Sequence, residues 1–177
     1  MLFTHDTECA LQSAVTIANS ALAPDTLTSV TDLDAIWVEH SYSGRHDRTV
    51  AELEAVRAIR GRLRDLLTAD RDSAVGLVNS WLADARAVPQ LIRHDEQDWH
   101  IHAIDLEAPF AERILVETAM AMVDVIRNDE MSRLSICADD TCEGVVLDLS
   151  RNRSRRFCST TCGNRNAVAA YRARQQA

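Results

Sequence analysis

Apolar residues recur at helical spacing through most of the first 130 positions. Leu11, Val15, Ala18 and Leu22 stop before Pro24, which predicts a first helix from about Asp6 to Leu22. Leu33, Ile36 and Trp37 share one side of a short second helix over Asp32–His40. Thr49, with Glu52 three residues on, has the capping-box pattern and opens a third helix. Along it Val50, Leu53, Val56, Leu63 and Leu67 form an apolar row broken by Arg60. Leu77, Val78, Trp81, Leu82 and Ala85 define a fourth helix over Ser73–Ala87, which ends before Pro89. Between Gln90 and Leu106 the period changes: Leu91, Trp99, Ile101 and Ala103 alternate with polar residues across a His94–Asp98 turn, which predicts a short hairpin. Pro109 then opens a long helix to about Arg127, with Phe110, Ile114, Leu115, Met122, Val123 and Ile126 as its buried stripe. Ala119, Met120 and Val125 make this helix apolar on more than one side, so it is the candidate dimerisation surface.

Beyond residue 130 the pattern shortens. Val145, Val146, Leu147 and Leu149 form an apolar run broken by Asp148, Ser150–Ser154 reads as a polar turn, and Arg155-Arg156-Phe157 as a return strand. Asn164–Arg174 is helical in composition, with Ala167, Val168 and Tyr171 on one side. Two close cysteine pairs frame this segment, Cys137 with Cys142 and Cys158 with Cys162, fifteen residues apart. Each pair turns two thiolates towards a common point and the loop brings the pairs together, the arrangement that holds one tetrahedral, structural Zn²⁺ per chain. Four protein ligands leave no open position on such an ion, so it is not a catalytic metal. An iron–sulfur cluster is the alternative occupant of four cysteines. A segment with so little core depends on its metal and is expected to be disordered without zinc. Cys9 stands alone in the first helix and reads as a small buried hydrophobe.

With 177 residues, 46% of them hydrophobic, the chain is long enough to bury a core as one domain or two small ones. No apolar run reaches the length of a membrane span, and Met1–Glu8 carries His5, Asp6 and Glu8 where a signal peptide needs a basic start and an apolar run. The expectation is a cytoplasmic protein without a membrane partner. The formal net charge of -8 argues at first against a nucleic-acid partner. Resolved along the chain it does not: residues 1–130 hold 11 arginines against 23 acidic groups, a net of -12, whereas residues 131–177 hold 8 against 4, a net of +4. From Arg151 onward there are seven arginines and no acid. Arg151, Arg153 and Arg155 alternate along the polar turn and project to one side if it is extended; Arg165 and Arg172 lie two turns apart on one helix face, with Arg174 beside them. Arg156 and Arg165 are placed to balance the charge of the thiolate cluster. Forked donors without competing acids suit phosphate oxygens and guanine edges, so all seven are candidate DNA contacts. The histidines show no metal-protease spacing; His100 and His102 share a strand face, a placement that also suits a metal, and the preferred reading is ordinary polar residues. No phosphate-cradling glycine loop or nucleophile elbow is present, and the reading is not an enzyme.

Four stretches together resemble the CGNR zinc-finger family of bacterial proteins: Leu147-Asp148-Leu149-Ser150-Arg151-Asn152, Arg155-Arg156-Phe157-Cys158-Ser159, Cys162-Gly163-Asn164-Arg165 and Tyr171-Arg172-Ala173-Arg174. In that family the finger follows a helical domain called ABATE, and Val15-Thr16-Ile17-Ala18-Asn19 resembles its opening. This chain departs from the family in having Val145 and Val146 where aromatics are usual, and Asn166-Ala167-Val168-Ala169-Ala170 where more basic residues are usual. The resemblance implies a DNA-binding transcriptional regulator with Cys137, Cys142, Cys158 and Cys162 as zinc ligands. The expected fold is mainly α with a small β-hairpin: a multihelical N-terminal domain over residues 1–130 and a C-terminal treble-clef-like four-cysteine zinc finger (α+β) over residues 131–177. The finger contacts duplex DNA as a homodimer, nucleoid-associated when bound, and the N-terminal domain dimerises or receives a small-molecule or protein effector. Two other readings stand beside it: a zinc-stabilised protein-interaction module whose arginines pair with acidic surfaces, and an RNA-binding protein with only Phe157 and Tyr171 to stack on bases.

Overall fold

Caps and prolines place the helices close to where the apolar periodicity puts them. The computed structural model describes residues 3–93 and 98–175. In chain order these form α1 (His5–Asn19), α2 (Val30–Glu39), α3 (Val50–Leu67), α4 (Arg71–Asp84), β1 (Gln90–Ile92), β2 (His100–His102), α5 (Phe110–Arg127), a 3-10 turn (Met131–Arg133), β3 (Leu134–Ile136), β4 (Val145–Leu147) and α6 (Thr160–Gln175). The architecture is mainly α, with two antiparallel two-stranded hairpins, β1–β2 and β3–β4, among the described residues. None of the described helices is long and apolar enough to cross a membrane.

The expected capping box of α3 forms only in half. Thr49 accepts from the Glu52 backbone at 3.2 Å, but the Glu52 carboxylate turns away to accept from the backbones of Asp47 and Arg48 and to meet His46 Nδ1 at 2.8 Å. Both carboxylate oxygens are thus occupied by groups that precede the N-cap residue. The reciprocal box forms instead at Ser29 and Asp32, which open α2.

α5 is apolar on several sides because it is the central helix. α1, α3 and α4 pack around it, and Phe110, Ile114, Val116, Ala119, Met122 and Val125 are buried. This corrects the expectation that α5 offers a dimerisation surface. Arg113 is buried on the same helix, and its guanidinium donates to the carbonyls of Ser43, Arg45 and Ala108 while lying over the rings of Trp37 and Phe110. Gly44 permits this loop to close: at φ +80° a Cβ there would meet the Leu106 carbonyl oxygen at 2.5 Å.

The β1–β2 hairpin forms as expected, with Leu91 opposite Ile101 and Ile92 opposite His100, while the turn expected at His94–Asp98 lies, for residues 94–97, outside the described residues. Leu91, Trp99 and Ile101 are exposed, whereas His100 and His102 line a cavity of about 230 Å³ formed with α1, α5 and residues 40–43.

The second hairpin joins the cysteine-rich segment to the helical body. Val145 and Leu147 belong to the same core as Leu11, Ile17 and Leu63. Asn19, at the end of α1, completes the edge of β4: its amide donates to the Val145 carbonyl at 2.8 Å and accepts from the Val145 N–H at 2.7 Å. Arg64 adds a hydrogen bond to the Glu143 carbonyl.

Candidate metal centre

β3 runs into Cys137, and the chain turns back through Cys142 to β4, so the first cysteine pair sits in the loop of the β3–β4 hairpin. The strand paired with Val145–Leu147 is therefore Leu134–Ile136, and Arg155-Arg156-Phe157 is not a return strand. That segment still docks on the knuckle, since the Ala138 N–H donates to the Arg156 carbonyl at 2.9 Å. The second pair bridges into α6, with Cys162 in its first turn and Ser159 Oγ accepting from the Cys162 N–H at 3.2 Å.

These turns bring the four Sγ atoms within 4.8 Å of one another. Cys142 and Cys158 are 3.5 Å apart and Cys158 and Cys162 3.8 Å. Tetrahedral zinc with bonds of about 2.3 Å sets its sulfurs about 3.8 Å apart. The quartet fits one structural zinc ion. The Gly144 and Cys158 N–H groups point at Cys142 and Cys137 Sγ, at 3.4 and 3.5 Å, and so support thiolate charge. Burial pushes the Cys158 and Cys142 thiols up, while the Ser159 hydrogen bond pulls Cys162 down. A bound dication reverses the burial effect and holds all four as thiolates. Gly144 is the close approach between the knuckles, because a Cβ there would stand 2.8 Å from Cys158 Sγ.

Asp139, buried inside the first knuckle, ties it to α6. One carboxylate oxygen accepts from the Thr141 N–H and hydroxyl, the other from Arg165 Nε and Asn166 Nδ2, both at 2.7 Å. The Arg165 hydrogen bond, then that of Thr141, holds the Asp139 carboxyl down at about 2. Arg165 also reaches Cys162 Sγ at 3.6 Å, so it serves the cluster.

The seven arginines divide by partner. Arg153 donates to Glu130 at 2.8 Å and to Ser132 at 3.0 Å. Arg155 donates to the carbonyls of Leu147, Phe157 and Cys158. Arg156 lies 5.8 Å from the Phe157 ring centroid with its side chain exposed. Arg151, Arg172 and Arg174 are exposed and form no ion pair among the described residues. The expectation that Arg151, Arg153 and Arg155 project to one side fails: Arg151-Asn152 is a turn and Arg153 has φ +49°, so the segment is not extended. Asp139, Gly144 and Asn19 carry the site's support and were not singled out by sequence; an acid inside a cysteine knuckle and a glycine two residues past its second cysteine were the available signals.

Two family models match the chain. The CGNR zinc finger matches residues 133–175. ABATE, described as "putative stress-induced transcription regulator", matches residues 12–129. No curated protein matches the chain.

Proposed function

The chain belongs to the ABATE family and ends in a CGNR zinc finger, and from that premise we propose that it regulates transcription by contacting duplex DNA through the finger. The observation that carries this reading is the exposure of Arg151, Arg156, Arg172 and Arg174 without an acidic partner among the described residues, on a segment that holds no acid after residue 150. Only Cys162 of α6 is buried, so the helix is free along most of its length to lie against a groove. Arg153, Arg155 and Arg165 then act as braces of the finger, with Arg156 at the contact edge beside Phe157. The saturated cysteine quartet gives no catalytic role to the metal.

A single module of this size covers about 600–1,000 Å² of DNA, so the working form in this proposal is a homodimer on paired half-sites. The body, at a net of -12, is repelled by the duplex, and contact is confined to the finger of a protein acting on the nucleoid in the cytoplasm. Selection of bound fragments from genomic DNA tests the reading. A recovered motif with two-fold symmetry is the expected result; no enrichment over bulk DNA counts against it.

A further inference from the structure

The finger makes no use of the 230 Å³ cavity between α1, α5, β2 and residues 40–43. Arg113, Glu117, Met120, Asp124 and Arg127 recur every three or four residues, so one face of α5 is turned towards it. Glu117 stands near the middle of that face. Its carboxylate accepts no hydrogen bond among the described residues: His102 Nδ1 stands 3.8 Å from Oε1, beyond hydrogen-bond reach. Arg113, one turn earlier, gives its guanidinium to three backbone carbonyls instead. Burial pushes the Glu117 carboxyl up to about 7, with the Arg113 charge opposing it. A carboxylate held in a cavity without a hydrogen-bond donor costs the fold stability, and such groups mark sites where a ligand supplies the donor.

The rest of the wall sets the kind of donor. Ala10, Ile101, Ala103, Met120 and Val123 make part of it apolar, which suits an organic body rather than a hydrated metal ion. Among the charged side chains Asp6, Glu117 and Asp124 stand against Arg113 and Arg127, and Arg127 is exposed in the last turn of α5. With Arg113 already engaged, the balance is negative, so the cavity favours a cation over a carboxylate or phosphate. Tyr42 is the one phenol or indole ring lining it among the described residues, too few for the aromatic cage of a quaternary ammonium. A protonated amine, which donates N–H to a carboxylate, is the better match. At about 230 Å³ the cavity is smaller than drug-sized pockets of roughly 300–1,000 Å³, so its occupant is small.

We propose that this cavity binds a small organic amine in its ammonium form, with Glu117 accepting from its N–H groups and Ile101, Met120 and Val123 packing against its apolar body. The site stands independently of the DNA-binding reading, since its test is scored on ligand binding alone.

Calorimetric titration of the zinc-loaded full chain with benzylamine and isobutylamine tests it, with benzyl alcohol and phenylacetate as neutral and anionic probes carrying the same ring. The expected result is saturable one-to-one binding of an amine at about 1 mM or tighter, the range open to so small a ligand. The alcohol and the carboxylate should bind about tenfold weaker or less. Glu117→Gln, which keeps the volume of the side chain and removes its charge, should weaken amine binding about tenfold and leave the alcohol unchanged. Amide chemical shifts should move at His100–Ala103 and at residues 40–43 and stay fixed in α6. Should the variant lose its helical signal, the probe comparison and the shift map in the native chain decide the question. The proposal is overturned if neither amine binds saturably up to about 10 mM, if phenylacetate or the alcohol binds as tightly, if Glu117→Gln binds amine undiminished, or if the shifts fall away from the cavity.

Discussion

Arg165 and Arg172 lie seven positions apart on α6, and what each meets sets its role. Arg165 is engaged by the buried Asp139 carboxylate and by Cys162 Sγ, whereas Arg172 faces solvent. Arg165→Ala should therefore lower zinc affinity by about 10–100-fold, the usual effect of removing a group behind a metal ligand. Arg172→Ala should leave zinc affinity unchanged and weaken DNA binding; competition with a chromophoric chelator separates the two. Arg113 makes the same point inside the body, where three carbonyls converge on its guanidinium. Arg113→Leu strands those acceptors and should cost about 3 kcal/mol in urea unfolding of the zinc-loaded chain. That Arg165 serves the cysteine cluster was legible in the sequence, whereas the roles of Arg113, Arg153 and Arg155 were not. Arg153 finds Glu130 and Arg155 finds carbonyl oxygens, partners that only the folded path of the chain brings within reach.

The long amphipathic elements were legible because periodicity and caps act locally. α1 to α5 fall within a few residues of their expected bounds, and Pro109 does sit at the start of α5. The three-residue β3 was not legible, since Leu134-Ser135-Ile136 is too short to show a period and its partner is set by the cysteine turn between the strands. α5 misled for the opposite reason: apolar residues on several faces mark the centre of a bundle as well as an interface. The β3–β4 hairpin also changes what zinc is expected to do. Val145, Val146 and Leu147 are all buried, and the first and last belong to the body's core, so the hairpin is not held by metal alone. Chelation should expose the amides of 155–175 to fast hydrogen exchange while those of β4 stay protected. Equal loss of protection across both segments would contradict this. Asn19→Ala should strip the edge of β4 of both its hydrogen bonds and cost about 1–3 kcal/mol, seen as faster exchange at Val145 with zinc still bound.

Across the whole molecule, the acidic body and the basic finger share one core, and the charge asymmetry runs along the chain between them. The cysteine quartet was fully legible, because its paired spacing carries the chemistry of the site; the pocket histidines were not, because a strand face reads the same whether it looks at solvent or at a cavity. The central claim is that exposed arginines of the finger meet DNA phosphates. Salt dependence of duplex binding by the zinc-loaded chain tests it most directly, with Arg151→Ala, Arg172→Ala and Arg174→Ala combined as the comparison. Removing one arginine–phosphate pair should reduce the slope of log affinity against log salt by about 0.9, so the triple variant should bind with a clearly flatter slope. An unchanged slope in a variant that keeps its zinc would contradict the account.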